Sequence, residues 1–140
     1  MTREEGAAID SLPVVVVVED DISTLGLLAD VAEDAGWEAR TCRSLRQLER
    51  TLDDVEPSLI ILDDDLPDGR GGDEALLMHA DPERSGVPVV ICTGAPASRL
   101  AELRHDMPVV TKPFTVSEIE RVLDTARRHH RQRVAKAAAG

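Results

Sequence analysis

A chain of 140 residues has the size of one domain, and an apolar share of 42% is enough for an ordinary core. A net charge of −11 argues against direct nucleic-acid binding by the body of the protein, because an acidic surface repels a phosphate backbone. The longest apolar run, Val14 to Val18, is far too short to span a bilayer, so no membrane role is expected. With one Trp, one Phe and no Tyr, the core must be built from Val, Leu, Ile and Ala. Cys42 and Cys92 are far apart and show no metal-ligand spacing; with no signal peptide, a reduced cytoplasmic location is expected.

Residues 1–12 are polar and mixed, the pattern of an N-terminal arm. Pro13 separates them from Val14–Val18, five β-branched residues that predict a buried strand, with Glu19-Asp20-Asp21 directly after it. Asp21 or Ser23 then caps a helix carrying Leu25, Leu28, Val31, Ala32 and Ala35, which Gly36 stops. Trp37 to Cys42 predicts an exposed strand with Trp37 packed on an edge. Ser44 opens a second helix with Leu45, Leu48 and Leu52 on one face. Leu59-Ile60-Ile61-Leu62 predicts a strand buried on both faces, as in parallel sheets. Asp63, Asp64 and Asp65 stand where it runs out, and Pro67 and Gly69 turn the chain. A short helix is predicted from Asp73 to His79, then a strand from Val87 to Cys92 followed by Thr93-Gly94. A helix from Ala97 to about Arg104 leads to the strand Val109–Thr111 and to Lys112-Pro113-Phe114. Thr115 or Ser117 caps a last helix with Ile119, Val122, Leu123 and Ala126 inward and a basic end, Arg127 to Arg133. The β-α alternation, five times over with short connections, predicts a parallel sheet with helices on both faces. It gives one domain over 13–128, with 129–140 as a basic tail.

In a parallel sheet all strands point the same way, so their C-terminal ends share one edge. Strands one, three, four and five bring Glu19 and Asp20, Asp63, Thr93 and Lys112 to it. Bunched carboxylates repel one another unless a cation joins them. Oxygen ligands without His or Cys favour Mg²⁺, which keeps several waters and binds phosphate oxygens. A lysine and a hydroxyl opposite it would hold the remaining oxygens of a transferring phosphoryl group. A carboxylate can itself accept that group, giving an aspartyl phosphate.

Glu19-Asp20-Asp21 after a valine run, Leu62-Asp63-x-x-x-Pro67-x-Gly69, Thr93-Gly94 and Lys112-Pro113-Phe114, in this order, resemble the receiver domain of bacterial two-component response regulators. The resemblance covers Val14 to Arg128. It implies a flavodoxin-like (βα)5 fold, doubly wound, with strand order 2-1-3-4-5. It implies Asp63 as phosphoacceptor, Thr93 and Lys112 as contacts to the phosphoryl group, and Mg²⁺ on Glu19, Asp20, Asp63 and the backbone carbonyl of Asp65. The implied phosphodonor is a histidine kinase or a histidine phosphotransfer protein. A cis peptide before Pro113 is a further implication.

Asp64 is read as a solvated acid with no role, the two cysteines as small apolar fillers, and the basic end as complementing the last helix's dipole. Val109 stands three before Lys112, where receivers carry an aromatic that swings inward on phosphorylation; this departure puts the usual output mechanism in question. No effector domain is expected after the last helix, so output would be a contact with an unknown protein, a phosphorelay, or a homodimer through the face from Ala97 to Arg128. Two other readings compete. Asp63-x-Asp65 fits a haloacid-dehalogenase-like phosphatase, against which stand Pro67 and the position of Glu19-Asp20 before the nucleophile. A non-phosphorylated pseudo-receiver acting only as an interaction module is the other. A flavodoxin is disfavoured because no phosphate-cradling loop follows the first strand.

Overall fold

The valines of β1 (Val14–Val18) alternate between two cores. Val15 and Val17 enter one hydrophobic cluster, Val16 and Val18 the other, because successive strand side chains point to opposite faces. The computed structural model describes residues 12–139, so the expected N-terminal arm lies outside the described residues except for Leu12. The strands β1, β2 (Glu38–Cys42), β3 (Leu59–Leu62), β4 (Val89–Thr93) and β5 (Val109–Thr111) form one parallel sheet in the order β2-β1-β3-β4-β5. This is the expected flavodoxin-like topology.

Helices α1 (Ile22–Asp34) and α5 (Val116–Ala139) cover one face; α2 (Leu45–Asp54), α3 (Gly71–Ala80) and α4 (Ala97–Asp106) cover the other. The first core joins Leu28, Trp37, Ile61, Ile119 and Leu123. The second joins Leu48, Ile60, Leu62, Met78 and Leu103. Caps follow the expected chemistry: Asp21 accepts from the Thr24 N–H (3.0 Å), Ser44 from the Gln47 N–H (3.1 Å) and Thr115 from the Glu118 N–H (3.1 Å). Between β3 and α3 the chain makes a two-residue hairpin, Asp65–Leu66 against Gly69–Arg70. Its turn residue Asp68 accepts from the Leu45 and Arg46 N–H groups at the start of α2 (2.9 and 3.0 Å). A carboxylate there meets the positive end of the helix, and the loop after Asp63 is thereby fastened.

Trp37 departs from expectation. It does not pack on an edge but is 2% exposed in the first core. Trp37 directly precedes β2, an edge strand, yet packs with residues of α1 and α5. Arg127 of α5 donates to the carbonyls of Ala35 (2.8 Å) and Gly36 (3.3 Å) and so closes this corner. Gly36 has φ +89°, and a Cβ there would stand 2.7 Å from the Arg127 guanidinium.

The basic end also differs in its partners. Arg127 meets the carbonyl end of α1 rather than that of its own helix. α5 runs unbroken to Ala139, so the residues read as a basic tail are helical as far as they are described. His130 Nδ1 pairs with Ser58 Oγ at 2.8 Å, and Arg133 donates to the Gly86 carbonyl at 3.2 Å. These contacts lie along the edge of the sheet opposite to Asp63, where loops enter β3 and β4.

Replacing Trp37 by Ala removes a large buried side chain at a closed corner, and should lower the unfolding free energy by about 3–5 kcal/mol. Urea denaturation followed by far-UV circular dichroism measures it; a loss below about 1 kcal/mol would place Trp37 outside the packed core.

Candidate functional site

The parallel register brings the C-terminal ends of β1, β3, β4 and β5 side by side, and the five expected side chains, Glu19, Asp20, Asp63, Thr93 and Lys112, gather there. Lys112 Nζ donates to both oxygens of Glu19 (2.9 Å each) and to Asp63 Oδ2 (3.1 Å). Asp63 Oδ1 accepts from the Asp65 N–H at 3.2 Å. Glu19, Asp63 and Thr93 are 2%, 5% and 1% exposed, while Asp20 and Asp65 face solvent. Each of Glu19, Asp20 and Asp63 offers an oxygen, and these atoms lie within 4.8 Å of one another.

The strand ends open into a cavity of about 650 Å³ lined by Asp63, Asp65, Arg70, Thr93, Arg99 and Lys112, among others. Gly94 contributes no side chain to its wall. The Lys112–Pro113 peptide is cis, as expected. Gly71 lets α3 start hard against the acid: a Cβ there would lie 2.0 Å from the Asp63 carbonyl oxygen.

The electrostatics follow from three charged groups in a dry space. Burial first, then the neighbouring Asp63, pushes the Glu19 carboxyl from its ordinary 4.5 up to about 7. Burial opposes the charge on Lys112, but Glu19 and Asp63 together outweigh it and raise the ammonium above its usual range. The lysine thus stays charged and stands as the cation between two acids. The donor set suits a divalent cation: three carboxylates, Glu19, Asp20 and Asp63, each offer an oxygen within 4.8 Å of the others. Cys92, behind Thr93, is pushed up to about 12 by burial and behaves as the apolar filler expected of it. Cys42 is likewise buried, with Sγ 3.3 Å from Thr51 Oγ1.

Asp64 corrects the sequence reading. It is not a solvated acid but is 4% exposed and fully engaged. Its oxygens accept from Arg99 Nε and Nη2 (2.8 Å each) and from the Gly72 N–H (3.0 Å). Arg99 first, against burial, holds this carboxyl below the usual range. Arg99, Arg70 and Asp68 escaped the sequence reading because their partners lie 35 residues away in the case of Arg99, or in a turn whose course is set by packing. An acid beside another acid gave no sign of which one was buried in an ion pair.

The sequence profile of the response regulator receiver domain matches residues 15–124. The chain belongs to the response regulator receiver family. Curated relatives of this receiver include the nitrogen assimilation regulatory protein NtrX of Azorhizobium caulinodans, 31% identical over 120 residues. That match covers 81% of this chain and 26% of NtrX, so the chain spans about a quarter of that relative's length. Among solved structures, the chemotaxis response regulator CheY4 of Vibrio cholerae superposes with a TM-score of 0.73 at 18% identity, covering 83% of this chain and 99% of that one. A signal receiver domain of an HD domain-containing protein from Pseudomonas fluorescens Pf-5 gives 0.77 at 20% identity, covering 87% and 92%. At such identities the structures speak for the fold alone. As a receiver, the chain is a module of two-component signalling rather than a metabolic enzyme, and the phosphatase alternative falls. The cluster Glu19, Asp20 and Asp63 fits the family's phosphorylation site. No helix among the described residues is long and apolar enough to cross a membrane.

The raised Glu19 carboxyl sets a pH dependence with a definite sign. Below pH 4.5 the folded and unfolded chains both hold its proton, and its contribution to stability is fully present. Between 4.5 and about 7 the unfolded chain has lost the proton and the folded one keeps it, so that contribution drains away as pH rises. In the absence of divalent cations, Glu19→Gln should remove this slope. Denaturant unfolding from pH 5 to 8 checks it: the stability difference, variant minus wild type, should grow with pH, and a constant difference refutes it.

Proposed function

We propose that this receiver accepts a phosphoryl group on Asp63 from a histidine kinase or a histidine phosphotransfer protein. The observation that carries the reading is the Lys112 ammonium bridging Glu19 and Asp63 at the C-terminal edge of the sheet. It places a buried carboxylate beside a cation at the mouth of an open cavity.

Glu19, Asp20 and Asp63, with the backbone carbonyl of Asp65, are the groups that would hold Mg²⁺. When bound, the ion supplies charge neutralisation for the acids and for phosphoryl oxygens. An Asp63 oxygen attacks phosphorus; the P–N bond to the donor histidine breaks, and its electron pair stays on the imidazole. Lys112 and the Thr93 hydroxyl then face oxygens of the transferred group and stabilise the charge on it. Water later attacks phosphorus and returns the Asp63 carboxylate and inorganic phosphate. Low exposure at Asp63 and Thr93 limits that water to the cavity side. Positioning and charge are the whole contribution of the protein, as in other phosphoryl transfers.

Output on this reading is a contact with another protein or a further phosphotransfer, in the cytoplasm, with the face from Ala97 to Arg128 as the signalling surface and the homodimer face. Val109 is half-buried against the second core and has no ring to move. Thr93 and the residues after it, rather than a ring at 109, are then a starting point for change at that face.

Acetyl phosphate with Mg²⁺ should raise the intact mass of the protein by one phosphate, and Asp63→Asn should abolish the rise. Lys112→Ala should slow labelling by roughly a hundredfold or more. Labelling that persists in Asp63→Asn assigns the acceptor elsewhere; no labelling of wild type favours the pseudo-receiver. The ion itself is tested by melting temperature against Mg²⁺ concentration. Stabilisation of about 2.7 kcal/mol is expected at a hundredfold excess over Kd, weaker below pH 7 where the Glu19 proton competes. Asp20→Asn should raise stability without the ion and weaken the response to it. A full response in Asp20→Asn would displace the metal site.

A further inference from the structure

Asp64 and Arg99 take no part in the phosphoryl transfer set out above, yet they form a bidentate ion pair whose side chains are 5% and 16% exposed. Asp64 is one peptide unit from Asp63. Its carbonyl accepts from the Gly71 N–H (3.0 Å) and its carboxylate from the Gly72 N–H (3.0 Å). Both glycines are required by close approach: a Cβ on Gly72 would lie 2.3 Å from Leu103 and 3.1 Å from both Arg99 Nη2 and Asp64 Oδ1. Arg99 stands in the first turn of α4 and lines the same cavity as Asp63, Thr93 and Lys112. Among the described residues, the two Asp64–Arg99 bonds are the only side-chain hydrogen bonds joining the loop 63–70 to α4.

Two routes therefore connect Asp63 to α4. One crosses the shared cavity from Asp63 to Thr93 on the neighbouring strand and follows the chain through Gly94, Ala95 and Pro96, a segment with no regular structure after Thr93. The other is the ion pair. Separating it would strand a buried carboxylate without its partner, so the acid and the guanidinium move together. Val109 offers no polar group toward the site. We propose that Asp64 and Arg99 are a positioning pair that carries the state of Asp63 to α4. Charge added at Asp63 shifts the loop that includes Asp64; Arg99 follows its bidentate partner and takes the first turn of α4 with it. Coupling of this kind is reciprocal, so a change at α4 equally biases the acceptor loop.

The inference rests on Asp63 being the phosphoacceptor, and the experiment separates the two. The full chain is studied by amide exchange with and without beryllofluoride and Mg²⁺, the fluoride serving as the phosphoryl probe. In wild type, exchange should change both in 93–96 and in 97–106. In Asp64→Leu/Arg99→Leu, which fills the pair's place with apolar groups, acetyl phosphate should still label Asp63 and the change in 93–96 should remain. The change in 97–106 should fall at least tenfold. Arg99→Lys keeps the charge but loses the fork; it should give a partial loss and stands in if the double variant does not fold. An undiminished α4 response in either variant overturns the inference, as does a wild type that responds in 93–96 but not in α4. If neither acetyl phosphate nor beryllofluoride acts on wild type, the acceptor reading itself fails and the inference falls with it.

Discussion

Three charges share one dry corner of this protein, and the arrangement of everything around them follows. Glu19 and Asp63 stand at the ends of adjacent central strands, close enough to repel, and the Lys112 ammonium lies between them. Removing Lys112 would leave two buried acids without their cation, so the corner depends on the lysine that joins them. Burial first, and then the neighbouring Asp63, raise the proton affinity of Glu19 despite the lysine, and two acids with one fixed cation leave the site short of positive charge. A site short of positive charge is one that a divalent cation would complete, which is the basis of the reading proposed for it.

The scaffold serves this corner by rigidity on one side and openness on the other. β1 and β3 are buried on both faces, which fixes the heights of Glu19 and Asp63. The chain after Asp63 is then held at three points: Asp68 on the start of α2, Gly71 against the Asp63 carbonyl, and Asp64 on Arg99. By contrast, the segment after Thr93 carries no such fastening before Pro96, and Gly94 leaves the cavity wall bare. The loop after Asp63 is thus tied to its surroundings by side chains, and the segment after Thr93 is the freer side of the site.

The far edge of the sheet shows the same economy of charge. Arg127, His130 and Arg133 of α5 are spent on a helix end, a buried serine and a loop carbonyl. Arg127 and Arg133 act as clamps for backbone oxygen, and Arg127 closes the corner where the one tryptophan packs.

The sequence by itself determined the α/β class, and the family resemblance added the strand order. Short runs of β-branched and aliphatic residues alternating with helical patterns read as buried parallel strands, and a parallel sheet collects their ends, so Glu19, Asp20, Asp63, Thr93 and Lys112 were legible as one candidate site before any coordinate. Asp21, Ser44 and Thr115 were legible as caps because a cap is a contact between near neighbours in the chain. What only the tertiary structure decided concerns partners far apart in sequence. Asp64 and Asp65 are chemically identical neighbours, and strand alternation alone does not say that one is buried against Arg99 while the other faces water. Trp37 directly precedes an edge strand, and its burial depends on packing against two helices. Charge pairing and corner packing are set by where helices come to rest on the sheet, and that is a property of the whole core rather than of any stretch of chain.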